Sequence, residues 1–228
     1  APGHAHERAD GGERFLSLRA RLTTVPLPGL PSSAVLASPL HALARLLEAD
    51  RKSAALHGAL LGRGIRHSRT PRMHEAEGGR LGIDYRYRIV DFDELGLDDA
   101  AFEAVVSLMM DAGFAGLNVT HPFKEQALGV LHEQSDEVAR IGAANTIVIR
   151  AGHRTGHNTD AFGFVESFRR QMPDAALDHV VLFGAGGAGA AVAHALGALG
   201  ARKLTVFDLR RDKADALAER FADGGRIV

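Results

Sequence analysis

The residues best suited to chemistry fall into two groups. The first is "GAGGAG", which places Gly184, Gly186 and Gly189 in G-x-G-x-x-G spacing, with Ala185 and Gly187 between them. It follows the apolar run "HVVLF" and opens an Ala-rich stretch, and an acid, Asp208, lies 22 residues beyond Gly186. In that context the glycines read as a dinucleotide fingerprint. Gly184 would allow a tight turn, Gly186 would let the backbone approach a pyrophosphate, and Gly189 would let a helix pack on the strand. The helix N-terminus would then offer free N–H groups and partial positive charge to the phosphates. Asp208 would accept from a ribose 2′-OH and repel a 2′-phosphate, which favours NAD over NADP. Arg210 and Arg211 leave an alternative, in which either pairs a 2′-phosphate after Asp208 turns away.

The second group is polar and sits where strands should end. "RHSRTPRMHEAEG" (66–78), "GLNVTHPFKEQ" (116–126) and "GAANTIVIR…TGHNTDAFGF" (142–164) concentrate hydroxyl, amide and charged side chains. Open α/β sheets bind ligands at the carboxyl ends of their strands. Taken singly, each residue has a duller reading. Ser68, Thr70 and Thr120 suit caps or turns, Asn118 and Asn145 suit loop backbone, Lys124 a solvated helix face, and Asp160 an N-cap.

The elements that must position these residues alternate strand and helix. "ALHGALLGRG", "YRYRIVDF" (85–92), "GLNVT" and "AANTIVIR" read as strands. "DELGLDDAAFEAVVSLMMDAG" reads as one helix stopped at Gly113, "HPFKEQALGVLHE" as a helix with Pro122 in its first turn, and "AFGFVESFRRQM" as a helix after Asp160. The pattern predicts an α/β fold: an N-terminal α/β domain with a largely parallel sheet, then a partial Rossmann-type dinucleotide-binding domain. Boundaries are expected at 56–157 and 158–228. Residues 1–55 are set apart as an extension, partly disordered and of unassigned role. It carries three prolines between Pro26 and Pro31 and a helix within "SPLHALARLLEADRKS".

Bulk properties exclude several classes. With 27 basic and 28 acidic side chains the net charge is -1, so nucleic acid and anionic membranes are not expected partners. No apolar run approaches the length of a membrane helix. Cysteine is absent, which excludes disulfides and thiolate chemistry and fits a cytoplasmic location. The 12 histidines are scattered, no H-E-x-x-H occurs, and His4 and His6 lie in the leader, so no metal site is expected.

The ordered runs "SRTP", "NVTHPFK", "GAANT" and "NTDAFG", followed by "GAGGAG", resemble the shikimate dehydrogenases over residues 56–228. Thr70 in place of a second serine, and Asp-Leu-Arg at 208–210, look most like the quinate/shikimate branch, whose members often use NAD. The resemblance implies Lys124 and Asp160 as the catalytic pair, with Lys124 exchanging a proton with the reacting oxygen and Asp160 holding it. It further implies Ser68 and Thr70 on a substrate carboxylate, and Asn118, Thr120 and Asn145, with Lys124 and Asp160, on ring hydroxyls. The expected partner is a small molecule, shikimate or quinate and their 3-dehydro forms, on a monomer or homodimer. A non-catalytic nucleotide- or metabolite-binding regulator on the same fold is the alternative; Lys124 and Asp160 together argue against it. Against the family pattern the chain begins without Met and ends at "GGRIV", where a third nucleotide-domain strand is expected, so the sequence reads as a C-terminally shortened piece of an enzyme.

Overall fold

The computed structural model describes residues 38–221. The prolines at 26–31, the leader histidines and the expected third nucleotide strand lie outside that range. Helix α1 (Pro39–Arg51) begins where Ser38 accepts from the His41 N–H and Pro39 occupies the first turn. Its Leu43 and Leu47, one turn apart, are both buried in the first core. From Pro39 onward the segment is therefore part of the packed domain, not of an extension, because its apolar stripe closes one face of that core.

Strand β1 (Leu56–Gly62) is an apolar run buried at six of seven positions, as a central strand requires. It pairs in parallel with β2 (Tyr85–Asp91) on one side and β3 (Gly116–Val119) on the other. Helix α2 (Thr70–Arg80) crosses between β1 and β2. Beyond β3 the sheet changes direction. β5 (Thr146–Arg150) runs antiparallel to β3 and forms a hairpin with β6 (His153–His157). The two-residue turn Ala151–Gly152 takes φ 49 and 79, the left-handed pair such hairpins require. A two-residue β4 (Glu133–Gln134) closes the order β2-β1-β3-β5-β6-β4. The sheet is largely parallel, as expected, with three of its five pairings parallel; the antiparallel pairings come from β5 and from β6, unforeseen from sequence, which returns as a hairpin rather than through a crossover.

Two helices expected from sequence are rebuilt. The run 93–113 splits into α3 (Phe92–Leu95), a 3₁₀ turn at Asp99–Ala101 and α4 (Phe102–Asp111). The break falls at Gly96, which is left-handed at φ 65. After β3, residues 121–130 form turns and a 3₁₀ segment, Gln126–Val130, instead of a helix. Phe123 is drawn fully out of solvent between Phe92 and Phe102, with ring centroids at 4.4 and 4.9 Å, and tertiary burial there overrides local propensity.

Helix α5 (Asp136–Ile141) is capped by Ser135 and stopped by Gly142. Helix α6 (Asp160–Gln171) then leads to a second unit: β7 (Val180–Phe183), α7 (Gly187–Ala198), β8 (Leu204–Phe207) and α8 (Arg211–Phe221). β7 and β8 pair in parallel, the βαβ arrangement expected. A second core joins the two units, because Ile141 and Ala143 pack with Ala161 of α6, the alanines of α7, and Leu217 of α8.

Candidate active site

Lys124 is held by backbone on both sides. Thr120 N–H donates to Leu61 carbonyl at 3.0 Å and Phe123 N–H to Thr120 carbonyl at 2.8 Å. The Lys124 carbonyl itself accepts from Ala144 N–H at 2.9 Å. Buried Phe123 anchors the turn, and the ammonium of Lys124 projects to the start of α6. There its Nζ meets Asp160 Oδ2 at 2.5 Å. The lysine side chain keeps 16% of its exposure and Asp160 keeps 34%, so this pair is half out of water yet reachable. Asp160 is set by Asn158, a fully buried amide: its Oδ1 accepts from Asp160 N–H at 3.0 Å and its Nδ2 donates to Ala143 carbonyl at 2.9 Å.

Asn145 completes the group. Its Nδ2 donates to Asp160 Oδ1 and to Thr159 Oγ1, each at 2.9 Å. Its Oδ1 accepts from Thr159 N–H at 3.0 Å and from Thr146 Oγ1 at 2.9 Å. Both hydrogens of the Asn145 amide are engaged inside the protein, one of them on Asp160. Asn118 joins the same chain through Thr146: its Nδ2 donates to Thr146 Oγ1 at 3.1 Å, and its Oδ1 accepts from the Tyr87 hydroxyl at 2.6 Å. Sheet register brings this about, because β3 and β5 set Asn118 opposite Thr146.

Ser68 and Thr70 form a separate pair, with hydroxyl oxygens 2.8 Å apart at the start of α2. No hydrogen bond ties that pair to the Lys124 group among the described residues. The loop carrying it is held by Asp91, whose buried carboxylate accepts from the backbone N–H groups of Gly64, Ile65 and Arg66 at 2.7–3.1 Å. Thr120 lies against the end of β1, where a Cβ at Gly62 would fall 2.5 Å from its methyl carbon.

The glycine turn and Lys124 line one cleft of about 590 Å³, whose walls include Thr120, Lys124, Gly184, Gly186, Asp208 and Arg210. Gly184 takes φ +102, open only to glycine at little cost. A Cβ at Gly189 would meet the Gly184 carbonyl oxygen at 2.0 Å, so helix α7 approaches the turn as closely as backbone allows. A Cβ at Gly187 would fall 2.9 Å from Lys124 Cβ and 3.1 Å from Ala143 Cβ. This glycine lets the two units touch. Gly186 stands at the N-cap of α7 with no side-chain cap, leaving first-turn N–H groups free for an anion. The features fit a dinucleotide's phosphates.

Asp208 ends β8 with its carboxylate turned inward to the glycine turn. Oδ2 accepts from Ala185 N–H at 2.7 Å and Oδ1 from Arg210 N–H at 2.8 Å. Those two bonds, the Ala185 one first, hold its pKa below the ordinary carboxylate value. The Arg210 guanidinium pairs with Asp212 at 2.5 Å, and Arg211 reaches Asp215 at 3.5 Å.

Sequence reading missed Asp91, Asn158, Thr146, Thr159 and Tyr87. Three of these stand inside the quoted runs "GAANT" and "NTD", so the signal was present but was assigned to neighbours. Tyr87 and Asp91 gave no signal beyond their places in a strand. Among the described residues, no helix is long and apolar enough to cross a membrane, and no group of three His, Cys, Asp or Glu side chains is placed to hold a metal.

Residues 60–147 match the shikimate dehydrogenase substrate binding domain. The chain is 47% identical over 169 residues to a shikimate dehydrogenase (NADP(+)) of Streptomyces avermitilis, covering 72% of this chain and 58% of that protein. It is 45% identical over 161 residues to a quinate/shikimate dehydrogenase (NAD(+)) of Corynebacterium glutamicum, covering 70% and 57%. The chain thus spans a little over half the length of these relatives. Among solved structures, quinate dehydrogenase from Corynebacterium glutamicum in complex with NAD superposes with a TM-score of 0.69 at 43% identity, over 76% of this chain and 63% of that one. On sequence likeness and on likeness of fold, the chain belongs to the shikimate dehydrogenase family.

Proposed function

We propose that the protein is the substrate domain and glycine-turn unit of a nicotinamide-dependent dehydrogenase that interconverts shikimate with 3-dehydroshikimate, and quinate with 3-dehydroquinate. The observation that carries this reading is a cleft lined both by Lys124 and by the glycine turn with Asp208. A nicotinamide bound there would supply or take up the hydride at the ring carbon. Lys124 would hold a proton toward the reacting oxygen during ketone reduction, and as a neutral amine would receive it during oxidation. Its ammonium would also stabilise negative charge developing on that oxygen. Asp160 would keep Lys124 in line, with Asn145 and Asn158 fixing the carboxylate. Ser68 and Thr70 would donate to the substrate carboxylate; Asn118 and Thr120 would read ring hydroxyls, excluding analogues that lack them.

NAD is the cofactor that Asp208 favours. Each carboxylate oxygen accepts one backbone N–H and keeps a lone pair for a ribose hydroxyl. The guanidinium groups that would have to meet a 2′-phosphate are paired with Asp212 and Asp215. A cofactor-reduction assay on the full-length gene product, with shikimate and quinate against NAD and NADP, tests the proposal. No turnover of either acid with either cofactor would refute it.

A further inference from the structure

The hydrogen-bond polarity of the polar chain can be followed atom by atom from a backbone group. Thr159 N–H can only donate, so the Asn145 atom it meets is the carbonyl oxygen. Thr146 Oγ1 also faces that oxygen, at 2.9 Å, and must place its single hydrogen there. Toward Asn118 the same hydroxyl can then only accept. Asn118 accordingly turns its NH₂ to Thr146 and its carbonyl to Tyr87, and the Tyr87 hydroxyl is the donor at 2.6 Å.

Without that hydroxyl the arrangement has a competitor. Asn118 could flip, Thr146 could turn its hydrogen to the new carbonyl, and the link from Thr146 to Asn145, and so to Asp160, would open. Tyr87 is built to prevent this. It is 7% exposed, its ring stacks on His74 at 4.3 Å and 13°, and its backbone N–H is held by Glu75 at 3.0 Å. Burial, with Tyr85 nearby, raises its pKa far above the ordinary tyrosine value, so the hydroxyl keeps its proton.

We propose that Tyr87 is a positioning residue of the substrate site, holding the Asn118 carbonyl so that Asn118 presents an amide hydrogen, and not an acceptor, to a substrate oxygen. The proposal rests on the reading that Asn118 contacts a ring hydroxyl, and its test separates the two. Shikimate binding to the full-length protein without cofactor is measured by calorimetry for wild type, Tyr87→Phe, Asn118→Ala, Asn118→Asp and the Tyr87→Phe/Asn118→Ala double variant, with melting temperatures as the fold check. Tyr87→Phe keeps the ring on His74 and should weaken binding roughly 2- to 10-fold, the range of one hydrogen bond. The double variant should bind no worse than Asn118→Ala alone, because Tyr87 acts through Asn118. Asn118→Asp, which accepts but offers no N–H, should lose at least as much affinity as Asn118→Ala with Tyr87 intact. In steady state, Tyr87→Phe should raise KM more than it lowers kcat. Additive losses in the double variant, or near-native binding by Asn118→Asp, would overturn the proposal. So would unchanged affinity in Tyr87→Phe while Asn118→Ala loses it. Unchanged binding by Asn118→Ala would instead overturn the reading of Asn118 as a substrate contact, and the proposal with it.

Discussion

Lys124→Ala is the perturbation that bears most directly on mechanism. The structure predicts a clean effect. The Asp160 carboxylate left behind still accepts from Asn145 at 2.9 Å and keeps part of its exposure, so it is neither buried alone nor unpartnered. Phe123, which anchors the turn, is untouched, so the fold should survive. What disappears is the ammonium proposed as proton donor, held 2.5 Å from Asp160 Oδ2. Loss of such a donor costs about 10²–10⁴-fold in rate, which corresponds to about 3–5 kcal/mol of barrier. A uniform binding contact would raise KM and leave kcat nearly unchanged. Lys124→Ala should therefore cut kcat by that factor with a modest change in KM, and Asp160→Ala should follow in kind. Two independent residues would multiply their effects to roughly 10⁴–10⁸-fold in the double variant. Two halves of one ion pair should not, and the double variant should match the worse single. Steady-state kinetics on the full-length protein, with circular dichroism as the fold check, decides between them. Near-normal kcat in folded Lys124→Ala, or a multiplicative double variant, would refute the assignment.

Four further outcomes are expected. Gly187→Ala should push α7 off the substrate domain, since its Cβ would sit 2.9 Å from Lys124 Cβ. A melting-temperature loss equivalent to about 1–3 kcal/mol is expected, together with lower kcat, and a native profile would show that the two units do not need this contact. Asp208→Asn should weaken NAD relative to NADP in paired kinetics; a wild-type preference for NADP would move attention to Arg210 and Arg211. Because the folded pKa of Asp208 is depressed by the Ala185 and Arg210 N–H groups, its stabilisation is full above the ordinary value of 3.8 and is lost as pH falls through the lower folded value. The acid limb of melting temperature against pH should accordingly be shallower in Asp208→Asn than in wild type. Finally, the Ser68–Thr70 pair should accept both acids, and undetectable quinate turnover beside robust shikimate turnover would remove the quinate half of the reading.

Much of the molecule was legible because the rules involved are local. An apolar run between turn residues reads as β1, and glycines at fixed offsets between a strand and a helix read as a phosphate cradle. Gly184 at φ +102 and the contact of Gly189 with the Gly184 carbonyl are where that spacing pointed. Ser38 and Pro39 likewise announce α1, though not that Leu43 and Leu47 enter the core.

Elsewhere local preference was outvoted. "HPFKEQALGV" has a helical look, yet Phe123 is worth more between Phe92 and Phe102 than in a regular helix turn. The candidate site is the sharpest case. Residue order alone sets which residue types stand at the ends of β1, β3 and β5, and that a glycine turn follows them. It takes the folded chain to bring Lys124 to Asp160, 36 residues away, Asn145 to Asp160, and the Tyr87 hydroxyl to Asn118 across 31 residues. Those pairings depend on strand order and register, on β3 lying between β1 and β5 with Asn118 opposite Thr146. A one-residue slip would turn Asn118 to the other face of the sheet. Register is settled by the burial of whole strand faces at once, a sum over the core that no short motif contains.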